Sequence, residues 1–218
     1  MTLNRRDLLI FTGKVLLAWS AMTGLIVFAG GFLVTSMFPL FRAVVMTIES
    51  GFSPSLKFIP SVDGGQVKLT VWVMQNIPVA TGIVIRKGIE LTAASHVLHL
   101  LVPVVVLLSI LTVWPIQDLW QKGLLILLGL LFSIGVLLAT APVLWVALLE
   151  LPFQEQALAA NAQHTAPWFM DWMIFSEMGG ALLLALTGVW VCIRLQRWVW
   201  RLRTSDLPKV ITNKGAFY

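Results

Sequence analysis

Four long stretches of this chain are apolar and nearly free of charge, and they restrict its fold more than any other feature. Residues 15–41, 91–114 and 123–149 hold no charged side chain, and residues 173–193 hold only Glu177. A helix needs about 20 apolar residues to cross the roughly 30 Å hydrocarbon core of a bilayer, so each stretch reads as a transmembrane span. The first and third are longer than a perpendicular crossing requires, which implies tilt, a kink or an extension along the interface. Pro39 and Pro142 are the expected break points. Of the 218 residues only 11% are charged, where a soluble domain carries roughly 25%. That balance excludes a soluble enzyme, a disordered protein and a nucleic-acid binder.

The signs of the connections orient the spans, because lysine and arginine concentrate on the cytoplasmic side. Before the first span stand Arg5, Arg6 and Lys14 against Asp7; after the last stand Arg194, Arg197, Arg201, Arg203, Lys209 and Lys214 against Asp206. Between the third and fourth spans lie Glu150, Glu155 and Asp171, with Glu177 just inside the fourth and no basic residue among them. Both termini are therefore expected in the cytoplasm of an inner-membrane protein. The sequence pI near 9.8 follows from this flanking charge and calls for no nucleic acid. Asn4-Arg5-Arg6-Asp7 resembles a twin-arginine export signal, but the apolar run after it is too long for a signal peptide, so a retained anchor is expected.

The predicted fold class is an all-α integral membrane protein of four transmembrane helices with a small exported β insert. The boundaries are a flank at 1–14, spans at 15–42, 91–114, 123–149 and 173–193, the insert at 43–90, a cytoplasmic turn at 115–122, an exported acidic loop at 150–172 and a basic tail at 194–218. Within the insert, Val67, Leu69, Val71 and Val73 alternate with Lys68, Thr70, Trp72 and Met74, the period of a half-buried strand. Asp63-Gly64-Gly65 suits a tight hairpin turn, so residues 56–62 should pair with 66–74. A third strand is expected at 81–86. So few strands need support from the membrane surface, the outer loop or another protein. The insert is either a cap on the bundle or a docking surface.

All three histidines fall on the outer side. His96 and His99, three residues apart, are expected on neighbouring parts of one helical face at the start of the second span, with His164 in the outer loop. His96, His99 and His164 can hold zinc or copper, and His96 and His99 can bind a haem cofactor. They can equally be polar residues at a helix mouth. Glu177, about one turn inside the fourth span, reads as a proton, ion or quinol contact paired with His96 or His99, or as a carboxylate reaching back to the interface. Cys192, the single cysteine, sits at the opposite end of that span and has no histidine base within reach. No phosphate loop, nucleophile elbow or His-Glu-x-x-His pair is present, so no catalytic residues are assigned.

Small residues mark close helix contacts, with Gly129, Gly135, Gly179, Gly180 and Gly188 as packing positions. The tail repeats Arg194, Arg197 and Arg201 beside Trp198 and Trp200, which predicts a helix continuing into a headgroup region that holds anionic lipid. Together these features describe a non-catalytic accessory or scaffold subunit whose partners are other membrane proteins. The alternative is a redox, haem, metal-binding or quinol-contacting subunit; a small transporter is a third class. Anchor, exported strands and further spans over roughly residues 30–150 resemble, in layout, the accessory membrane proteins of exosortase systems, and that resemblance implies an accessory role.

Overall fold

A computed structural model describes residues 5–49, 52–61, 65–74, 76–80, 83–116, 118–159 and 166–205. The elements run α1 (Arg5–Ser36), α2 (Phe38–Ile48), β1 (Phe52–Ile59), β2 (Gln66–Val73), β3 (Ile77–Ala80), β4 (Ile83–Ile85), β5 (Glu90–His96), α3 (Val97–Val113), α4 (Leu119–Ala159), α5 (Trp168–Phe175), a kinked turn (Ser176–Gly180) and α6 (Ala181–Ser205). Three stretches are long and apolar enough to cross a membrane: Leu8–Ser36, Leu119–Ala159 and Trp168–Leu202. The chain is a predominantly helical membrane protein carrying a three-stranded sheet.

The apolar run at 91–114 is two elements rather than one span. Its first residues form β5, and α3 has 17 residues, about 26 Å at 1.5 Å per residue. Hydropathy cannot separate the two parts, since neither bears charge. Alternation does: Ala93 is buried between the exposed Thr92 and Ala94, a period of two. α3 packs against α1, α4 and α6, with Leu107 and Leu111 fully buried. A helix enclosed by protein need not match the thickness of the lipid around it.

The expected hairpin is present, with β1 antiparallel to β2 from Phe52↔Val73 to Ile59↔Gln66. Gly65, at φ 87°, closes it from a conformation that favours glycine; residues 62–64 lie outside those described. The third strand is not at 81–86. There β4 pairs with β3 in a separate two-stranded ribbon, and β5 completes the order β1-β2-β5.

Val67, Leu69, Val71 and Val73 are all at most 1% exposed. Each such burial stabilises by about 1.5–3 kcal/mol. They join one core with Phe41 and Val45 of α2 and with Trp145, Leu149, Phe153 and Ala157 of α4. Phe41 meets Trp145 edge to face at 5.4 Å between centroids, a favoured aromatic geometry. α4 is thus a continuous 41-residue post for the sheet, and residues 150–159 belong to it rather than to a loop. Pro142 lies inside this helix without ending it. The missing N–H leaves the Leu138 carbonyl without its helical donor, and the neighbouring Ala139 carbonyl accepts the Trp172 indole N–H at 2.8 Å. Pro39 behaves as expected: α1 and α2 part at Met37, and Pro39 occupies the first turn of α2, where a helix tolerates proline.

At the opposite end of the bundle, Phe11 of α1 lies 6.1 Å from Trp114 after α3. The Lys122 ammonium donates to the carbonyls of Leu111 (3.3 Å), Thr112 and Trp114 (2.9 Å). A cation is favourable at these orphan acceptors, where the α3 dipole ends negative. α6 runs past Ile193 to Ser205, so the expected continuation of the last helix is present.

Candidate functional site

The fourth apolar stretch is not a uniform helix. It begins at Trp168, kinks within Ser176–Gly180, and resumes as α6. Gly179 adopts φ 102° with open space around it, a conformation costly for any residue with a Cβ. A left-handed glycine inside a helical path is a kink between two helices rather than a regular π turn. This one brings Ser176 and Glu177 to a cavity of about 40 Å³ shared with His99 and Pro103 of α3 and Thr140 and Leu144 of α4. That volume admits one or two waters.

The polar inventory around the cavity is specific. The Thr140 hydroxyl donates back to the Val136 carbonyl at 2.8 Å. The Ser176 hydroxyl is buried without a partner among the described residues. Pro103 cannot supply the helical N–H that the His99 carbonyl would otherwise accept. His99, Ser176 and Glu177 thus line one water-sized space, with His99 and Glu177 also exposed at its rim.

His96 has a different setting. It ends β5, opposite Gln66, with 3.2 Å between its Nε2 and the Gln66 Nε2. His96 and His99 thus do not share a helical face, because the chain turns from strand to helix between them. His164 lies outside the described residues. Among the described residues no three His, Cys, Asp or Glu side chains group closely enough to hold a metal ion. Cys192 is buried in a separate apolar cluster with Leu107, Leu111 and Leu125.

The small-residue positions divide. A Cβ on Gly129 would lie 2.5 Å from Leu111 of α3, and one on Gly188 would lie 2.5 Å from Phe132 of α4; both are helix-contact sites. Gly180 accommodates the Phe175 ring of its own segment, while Gly135 and Gly179 face open space. Those three are not helix-packing positions within the chain. Ser176, Thr140 and Pro103 were not singled out by sequence reasoning. The Ser176-Glu177 pair followed by Gly179-Gly180 inside an apolar run is the signal that marks the turn.

The fold and site define a membrane protein with a small, mostly apolar, water-sized cavity between three of its helices, edged by His99, Thr140, Ser176 and Glu177. The chain matches no protein-family model, no curated protein and no solved structure.

Proposed function

We propose that the chain is a non-catalytic, four-pass accessory subunit of a larger inner-membrane assembly, holding its sheet outside as a platform for a partner with an acidic surface. The observation that carries this reading is the open face of the sheet. With the other face fixed to α2 and α4, this one presents Ser55, Thr70 and Thr92 in one row and Lys57 directly opposite Lys68 in the next. Like charges opposed across strands cost stability, and an anionic partner would offset that cost. Lys57→Glu combined with Lys68→Glu should reduce the native mass of the extracted assembly to that of the lone chain. The melting temperature should hardly change, since surface substitutions cost within about 0.5 kcal/mol. A double variant that assembles like the parent would sink the proposal.

In this reading α3 completes the fourth crossing and both ends are cytoplasmic, supported by the positive flanks and by the contact of Phe11 with Trp114. Cysteines placed at Lys87 and at Leu119, both exposed, in a Cys192→Ala background test it. An impermeant maleimide should label position 87 in intact cells and position 119 only after permeabilisation. The reverse pattern would invert the topology.

The shared cavity of His99 and Glu177 favours a second reading, a proton or quinol contact within a redox subunit.

A further inference from the structure

At the end of the bundle opposite the sheet, a crevice of about 530 Å³ opens between the α3–α4 connection and α6. Arg197 and Arg201, one helical turn apart, line it from α6 together with Trp200. Trp114 and Asp118 line it from the other side. Gln196, only 4% exposed, donates to the Gln121 Oε1 at 3.1 Å and ties α6 to α4 beside the crevice. Asp118 is partly committed, its Oδ1 accepting the Trp120 N–H at 3.1 Å. Arg194 is directed elsewhere, 5.2 Å above the Trp190 ring.

We propose that this crevice binds the phosphodiester of an anionic phospholipid through Arg197 and Arg201. The guanidinium fork matches phosphate oxygens in a bidentate manner that an ammonium cannot reproduce. Asp118, which lines the same crevice, offers a carboxylate acceptor to a headgroup hydroxyl, which suits a glycerol headgroup better than choline. Lipid is favoured over dissolved phosphate by position. Indoles on both sides mark interfacial depth, and the adjoining face of α6 exposes Leu195 and Trp198, a surface for acyl chains. The site does not depend on the platform reading or on which leaflet this end occupies.

The test uses the full chain in nanodiscs of phosphatidylcholine mixed with phosphatidylglycerol, with retained lipids counted by native mass spectrometry. Phosphatidylglycerol should be retained about tenfold in preference, the scale of one charge-assisted hydrogen bond. Arg197→Gln with Arg201→Gln should erase the preference, and Arg194→Gln should keep it. Equal retention of the two lipids by the parent chain, a measurement that needs no variant, would overturn the proposal. So would an unchanged preference in the double variant. Inorganic phosphate displacing the lipid, or raising the melting temperature as much, would assign the site to free phosphate instead.

Discussion

Gly188→Leu is expected to unfold the contact among α3, α4 and α6. A Cβ there would lie 2.5 Å from the Phe132 ring and 2.8 Å from Leu107, so two neighbouring helices obstruct even the first added carbon. Overpacking a close-packed interior costs typically 1–3 kcal/mol, occasionally more. A leucine wedged between three helices belongs at or above the top of that range, a large share of a total stability of about 5–15 kcal/mol. Gly129→Leu should act similarly through Leu111. Gly135→Leu should leave the fold unchanged, because a Cβ at that position meets nothing. Melting temperature and helical circular dichroism in one detergent compare all three. An unperturbed Gly188→Leu, or a Gly135→Leu as damaging as it, would contradict the packing described.

That contrast shows what one sequence can and cannot disclose. Small residues in an apolar helix announce a close approach somewhere, but which of them approaches a neighbour depends on a rotation fixed only by packing. The same limit applies to β5. Leu91, Ala93 and Ser95 alternate with Thr92 and Ala94 too weakly in polarity for the period of two to stand out against charge-free surroundings. β2, with four buried aliphatic residues against Lys68 and Thr70, was legible at once. The far end of α4 is obscured in the sequence for another reason. Glu150 and Glu155 look like the start of a loop, yet Leu149, Phe153 and Ala157 recur every four residues on the stripe that supports the sheet. The charges interrupt the apolar run, yet the helix continues because its apolar stripe packs beneath the sheet. At the site, Glu177 and His99 stood out as ionisable groups near apolar spans, while Ser176 and Thr140 gained meaning only when three helices brought them to one cavity.

Glu177→Gln separates the two functional readings. Glutamine keeps the size of the side chain and still hydrogen-bonds a water, but it cannot gain or release a proton. If the cavity passes protons, Glu177→Gln and His99→Gln should each lower the activity of the host assembly by roughly a hundredfold, a typical loss for a positioned acid or base, with assembly retained. His96→Gln should be silent, because His96 lies on the sheet and does not line the cavity. Ser176→Ala should act in the same direction more weakly, removing one partner of the water and leaving both titratable groups. If the chain serves only as a platform, the cavity variants should be neutral and the reversal of Lys57 and Lys68 should be the damaging change. The two sets lie on different elements, the cavity residues on helices and the lysines on β1 and β2, so each reading predicts loss where the other predicts none. Loss on both sets would assign the chain two roles, a proton path between the helices and a docking face on the sheet, joined through α4, which lines the cavity at Thr140 and packs beneath the sheet at Leu149 and Phe153.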